Sequence, residues 1–299
     1  MENSELSYCG YSNIYTGLVI KTNAVAIKNC VISNNAYGIS FFNSSGSIVT
    51  GCIIFDNYYD GIYISNSMGI AVTNCSILSN NVGISLNHPL GDNTVENCNI
   101  YNNFQDGIYI VSSFLDNPLL NCNFTENSNG IHLDNTSFIN ISRCTFYNNA
   151  DAIYLNASSN NTIKDCDMEG NAEGVFLKTS SNNTITNCNM INNVDGVYAK
   201  DAMGNHILNC SMQNNINGIL LYNSSTTIIK NYSGIENKYG ISIKSSSENT
   251  TVTNAILSNN SFGIYSECSN AVVTKSNINN NTEWGMFSTK QVDAKHNYW

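Results

Sequence analysis

Arginine occurs once, at Arg143, and proline twice, at Pro89 and Pro118, in a chain of 299 residues. Charged side chains are only 11% of the total, and the formal net charge is −10. Neutralising phosphates requires clustered Lys and Arg, so this balance argues against nucleic acid as a partner. The same deficit argues against polybasic docking on a membrane surface. No apolar run reaches the ~20 residues of a spanning helix, so direct membrane insertion is not expected. The opening Met1-Glu2-Asn3-Ser4-Glu5 does not read as a signal peptide. With the abrupt close at Asn297-Tyr298-Trp299, the expectation is a single domain, 1–299, excised from a longer surface or exported protein. Scarce proline leaves strands free to stack without interruption.

What is abundant is periodic. Glycine recurs at Gly17, Gly38, Gly61, Gly83, Gly107 and Gly130, then from Gly174 to Gly285, with Ala152 in the one missing place and most separations 22 residues. After each glycine comes an alternating stretch such as Ile62-Tyr63-Ile64 or Ile108-Tyr109-Ile110, the signature of a half-buried strand. A second strand starts at a cysteine and turns Ile32, Ile54, Phe124, Met168, Met190 or Met212 inward two residues later. A third ends at a β-branched residue, Val49, Val72, Ile163 or Ile185, three residues before the cysteine. Three short strands per unit, each pairing with its counterparts in neighbouring units, predict an all-β fold, a right-handed parallel β-helix of about 13 coils. At roughly 4.8 Å per coil it would be a rod about 60 Å long. A leucine-rich repeat is disfavoured because the strand reads Gly-Ile-x-Ile, and a left-handed hexapeptide helix because no six-residue subperiod exists.

Two asparagine columns mark the corners. One lies three or four residues before the glycine (Asn35, Asn80, Asn103, Asn193, Asn215) and one directly before the cysteine (Asn29, Asn74, Asn97, Asn187, Asn209). Both are expected to supply left-handed corner conformations and stacked amides. Cys9, Cys30 and eight further cysteines to Cys210 form one column. Side chains pointing the same way from successive coils suit neither the twist of a disulfide nor a tetrahedral zinc site. They are expected to be buried corner fillers. Cys268 lies off the column and is expected on an outer turn with a reactive thiol.

The outward side of the glycine strand carries the patterned chemistry. Asp60, Asp106, Asp151, Glu173 and Asp195 directly precede the glycine position, Tyr63, Tyr109, His132, Tyr154, Phe176 and Tyr198 follow two residues after it, and Lys178 and Lys200 two further on. Stacking at about 5 Å converts each set into a line. Asp106, Tyr109, His132, Asp151, Tyr154, Glu173, Phe176, Asp195 and Tyr198 are therefore the expected ligand-binding set for an extended glycan, with ring faces for sugars and carboxylates for hydroxyls. If the face is catalytic, Asp151, Glu173 and Asp195 are the acid/base candidates, because glycosidases use carboxyl pairs about 5 Å or more apart, and Lys178 or Lys200 would be a lyase base. The plain alternative is that Asp before Gly is turn chemistry and outward Tyr a good strand former. Two excursions, His88-Pro89-Leu90-Gly91-Asp92 and Phe114-Leu115-Asp116-Asn117-Pro118, put Asp92 and Asp116 in one register. The pair is a candidate for Ca²⁺, short of that ion's usual 6–8 oxygens; no other cofactor is expected.

The Asn-Asn…Gly-Ile-x-Ile coil, the Asn-Cys corner and the closing Lys295-His296-Asn297-Tyr298-Trp299 resemble the NosD-type, or CASH, β-helix family of pectate-lyase-like proteins. The resemblance covers essentially the whole chain. It implies relatives among periplasmic accessory proteins of copper-enzyme maturation, carbohydrate-active enzymes and large microbial surface proteins. An Arg or Lys base beside a calcium–carboxylate site, as the resemblance implies for its lyases, is not matched at Arg143, which falls at the opposite corner. The Asp pair of polygalacturonases and the Tyr-Gly-Phe-Asp-Pro-His motif of alginate epimerases are absent. The expected function is thus a non-catalytic extracellular, cell-surface or periplasmic domain that binds polysaccharide or surface glycan. A polysaccharide lyase, hydrolase or epimerase is the alternative, and a ligand-free stalk or accessory protein the third. Oligomeric state is not legible.

Overall fold

The computed structural model describes residues 1–7 and 17–299. It comprises two compact units, Met1–Ala150 and Asp151–Trp299. Both are built from the same coil, and together they hold about 13 coils of the parallel β-solenoid. No helix occurs among the described residues.

The regular coil of the second unit contributes a six-residue strand at the glycine, such as Asp195–Lys200, and two three-residue strands, such as His206–Leu208 and Ser211–Gln213; the last glycine strands, Phe262–Ser266 and Trp284–Ser288, have five residues. Every strand pairs in parallel, without slippage, with its counterpart one repeat away: Val175 with Val197, Val197 with Ile219, Met190 with Met212. The first unit repeats this with Asp60–Ser65, Val82–Asn87 and Asp106–Val111 as successive glycine strands. The aliphatic columns this register creates have no exposed surface: Ile62, Ile84 and Ile108 in one unit, Val175, Val197 and Ile219 in the other. Each such side chain contributes about 1.5–3 kcal/mol through burial. The glycine is demanded by space. A Cβ on Gly196 would lie 2.6 Å from the carbonyl oxygen of Gly218 and 3.1 Å from Cγ of Met212.

The two asparagine columns divide their labour. Residues just before the cysteine, among them Asn74, Asn97, Asn187 and Asn209, adopt φ of 54–55° and lie at the exposed corner. The other column is buried and builds an amide ladder. In the second unit Nδ2 of Asn171, Asn193, Asn215, Asn237 and Asn260 each donates to Oδ1 of the next asparagine, at 3.0–3.3 Å. Left-handed geometry there belongs to the preceding residue, Asn192 or Asn214, and not to the ladder asparagine, which corrects the expectation that both columns turn the corner. A second buried ladder, Asn161–Asn183–Asn205, fills the corner after the glycine strand and was not anticipated.

The cysteines from Cys30 to Cys210 are buried and unbridged. Their thiols cap the corner: Sγ of Cys75, Cys122, Cys188 and Cys210 donates to the carbonyl two residues back, at 3.2–3.3 Å. Cys9 lies outside the described residues. Cys268 is buried too, its thiol directed at the carbonyls of Ile243 and Ser245, so the expectation of an exposed reactive thiol is overturned.

Candidate functional site

In the second unit the residue before each glycine stacks coil on coil in the order Asp151, Glu173, Asp195, Asn217. The expectation that these side chains project freely outward does not hold. Because the glycine lets the backbone sink against the next coil, Asp195 is only 5% and Asn217 8% exposed; Asp151 and Glu173 are half-buried. Carboxyls removed from water resist ionisation. Burial first, then the hydrogen bond and charge of Asp151, push Glu173 up to about 8. Burial likewise raises Asp151, with its hydrogen bond to Glu173 opposing the rise. Asp195 rises to about 6, mainly through burial, against the opposing hydrogen bond from Asn217, whose Nδ2 donates to its Oδ1 at 2.7 Å. The ladder therefore holds a proton-sharing carboxyl pair beside a separately anchored carboxyl.

Over this ladder runs a column of rings. Tyr154 and Phe176 have centroids 5.1 Å apart at an interplanar angle of 21°, and Phe176 and Tyr198 4.8 Å apart at 3°. The rings are stacked on one another, and Leu220 is the strand partner of Tyr198 on the next coil. Both faces of Phe176 are thus covered within the column. At Phe176 a ligand would meet the ring edge, which corrects the expectation of a ring face offered to sugars at that position. Lys178 and Lys200 pair at the strand end, the first exposed and the second half-buried. A shallow groove lined by Ala172, Asn192, Val194, Ile216, Glu236 and Lys238 flanks the acid ladder.

The first unit carries a smaller version. Asp106 is 6% exposed; it accepts Nδ2 of Asn129 at 2.7 Å and contacts Nδ1 of His132 at 3.3 Å. Tyr109 lies against His132, centroids 4.9 Å apart, and donates to Oδ2 of Asp134 at 3.4 Å. Asp60 is raised to about 6 by burial, opposed by a hydrogen bond with Ser85. The expected residues Asp106, Tyr109 and His132 are therefore gathered in one unit, and Asp151, Glu173, Asp195, Tyr154, Phe176, Tyr198, Lys178 and Lys200 in the other. Asn129 and Asn217 were missed, although Asn-Gly stands in the register of Asp-Gly at both places.

Asp92 and Asp116 are exposed neighbours, the amide of Asp92 donating to the carbonyl of Asp116 at 2.9 Å. Among the described residues no three His, Cys, Asp or Glu side chains gather as metal ligands.

Comparison with solved structures shows the same fold at low identity. The A-module of the mannuronan C-5 epimerase AlgE4 of Azotobacter vinelandii matches with a TM-score of 0.64 at 14% identity, over 98% of this chain and 87% of the epimerase module. The catalytic domain of a GH87 α-1,3-glucanase, in complex with tetrasaccharides, matches at 0.56 and 13%, over 95% of this chain and 62% of its own. Gene product 12 of bacteriophage phi29 matches at 0.69 and 12%, over 96% and 53%. No curated protein matches by sequence. The family model described as "right handed beta helix region" matches residues 1–124, 91–234 and 151–297. With those segments, the repeat and the three-strand coil in agreement, the chain belongs to the right-handed β-helix family.

Proposed function

We propose that this protein is an extracytoplasmic polysaccharide-binding domain whose binding face is the glycine-strand surface of the second unit. The observation that carries the reading is the set of parallel lines formed by Asp151, Glu173 and Asp195 and by Lys178 and Lys200, which repeat at the coil spacing, with the phenols of Tyr154 and Tyr198 two coils apart. A chain of cyclic units laid along such lines meets polar groups in a regular series. Carboxyls and phenols exchange hydrogen bonds with sugar hydroxyls, and the lysines suit an acidic sugar. Proteins of the same fold include a mannuronan C-5 epimerase module and an α-1,3-glucanase domain, which supports a carbohydrate as the ligand class. The periplasmic alginate epimerase AlgG among them supports a location outside the cytoplasm.

A second reading is favoured by one observation: Glu173 keeps its proton near neutral pH while Asp195 lies one coil away. Carboxyls with separated proton affinities are the equipment of a glycoside hydrolase. Incubation with neutral and acidic polysaccharides separates the two readings. Retention without new reducing ends or unsaturated products supports the binding domain. Products that disappear with Glu173→Gln would replace it with the enzyme.

A further inference from the structure

The corner after the glycine strand in the first unit is decorated in a way the repeat does not require. Met68, Leu90, Leu115 and Phe138 lie there on successive coils, 44%, 51%, 53% and 58% exposed, with Phe114 beside them at 57%. Coil-to-coil bonds fix their adjacency: Leu90 N to Ser67 O, Gly69 N to Gly91 O, Asp92 N to Asp116 O and Ser137 N to Ser113 O. Leu115 rests on Gly91, where a Cβ would meet Leu115 Cβ at 3.2 Å. The same corner in the second unit reads Ser159-Asn160, Ser181-Asn182, Met203-Gly204 and Ser225-Thr226, with one exposed apolar residue, Met203 at 55%. The coil therefore folds with mostly polar residues at this corner, and five exposed apolar side chains on four successive coils need another cause.

Phe138 sharpens the point. Its φ is 67°, in the left-handed region that corresponding residues meet with Gly46, Gly69, Asp92, Asn160, Asn182, Gly204 and Thr226, none of them aromatic. A bulky ring there is a backbone outlier. Its ring is largely in water, so packing does not repay the strain. Residues held against both backbone preference and solvent are typical of functional surfaces.

The rim is acidic. Asp92 and Asp116 are both exposed, Asp116 directly after Leu115 and Asp92 two residues after Leu90. The unit's described Lys and Arg are Lys21, Lys28 and Arg143, none of them on these corner segments. A second copy would set carboxylates against carboxylates, and an anionic membrane would be repelled.

We infer that the Met68–Leu90–Leu115–Phe138 corner is a docking surface for a protein partner that presents apolar side chains flanked by Lys or Arg. Apolar contact supplies the attraction, and Asp92 and Asp116 select the charge of the partner. The site is separate from the glycan face proposed above and does not depend on it.

The test uses the whole chain and two amphipathic helical peptides, one of Leu and Lys and one of Leu and Glu, in fluorescence anisotropy. The Leu-Lys peptide is expected to bind, to weaken at least tenfold with Leu115→Ser or Phe138→Asn, and to weaken with Asp92→Asn. Phe138→Asn is expected at the same time to raise the urea midpoint, because it relieves the backbone; folding and docking then move in opposite directions. Equal binding of both peptides, or Leu-Lys binding unchanged by Leu115→Ser and Phe138→Asn, would overturn the proposal. So would self-association in sedimentation that Leu115→Ser abolishes, which would give the surface to a second copy. Binding of neither peptide would equally contradict it.

Discussion

The ring of Tyr232 stands over Gly234, two residues along its own chain. It fills interior volume that Met212 occupies one coil before and Leu257 one coil after, in the register of Gly234. Its hydroxyl donates to the carbonyl of Gly240 at 2.9 Å. A Cβ on Gly234 would sit 2.8 Å from ring carbons of Tyr232. The two departures from the repeat, a tyrosine in the cysteine column and a glycine in the methionine column, therefore compensate each other. Gly234→Ala is expected to cost about 1–3 kcal/mol by overpacking. Tyr232→Cys is expected to cost about 3–5 kcal/mol through the cavity it leaves. The double change Tyr232→Cys, Gly234→Met restores the repeat and should recover most of the loss. A double-mutant cycle in urea checks this, and simple additivity would refute the compensation.

The proton-sharing pair makes stability depend on pH. Glu173 rises from its ordinary 4.5 to about 8 in the folded protein, so the native state holds a proton that the unfolded chain releases. Its stabilising contribution is fully present below about 4.5 and is lost as pH climbs through about 8. Asp195, raised to about 6, acts in the same direction at lower pH. The urea midpoint is expected to fall from pH 5 to pH 8.5. Glu173→Gln should flatten the upper part of that slope, from pH 6 to 8.5. A midpoint that rises with pH across this window contradicts the assignment.

Thiol chemistry reports on the cysteine column. Cys30 to Cys210 and Cys268 are buried. Native protein treated with N-ethylmaleimide at pH 8 is expected to label them slowly, and all of them at once in 8 M urea. Mass spectrometry counts the adducts. Rapid native modification of most thiols would remove the column from the core.

The coil was legible because its repeat is enforced by contact: Gly196 under the Gly218 carbonyl, Val197 over Val175, Met190 over Met212. Each leaves a residue type at a fixed interval. The site was half legible. Sequence placed Asp195 and Tyr198 on one strand, yet simple alternation cannot show that the Gly196 contact draws Asp195 inward. Nor does alternation show that rings at the coil spacing stack on each other. Cys268 was misplaced because a cysteine off the column lost the context that identified the others as core. Phe138 was invisible because its strain lies in the backbone.

Ring stacking has its own consequence. Both faces of Phe176 are covered, by Tyr154 and Tyr198. Phe176→Leu is expected to lower stability by about 0.5–1.5 kcal/mol while leaving polysaccharide affinity within twofold. Thermal melts and affinity electrophoresis read the two effects. A tenfold loss of affinity with unchanged stability would mean that sugars do stack on this ring.

The most direct test of the glycan face is affinity electrophoresis of the whole chain in gels carrying neutral or acidic polysaccharides. Wild type should be retarded by at least one of them, and Lys178→Ala or Lys200→Ala should weaken that retardation on the order of tenfold, as expected for charged hydrogen bonds. Mobility unaffected by every polysaccharide, or retardation that neither substitution alters, would contradict the proposed binding face.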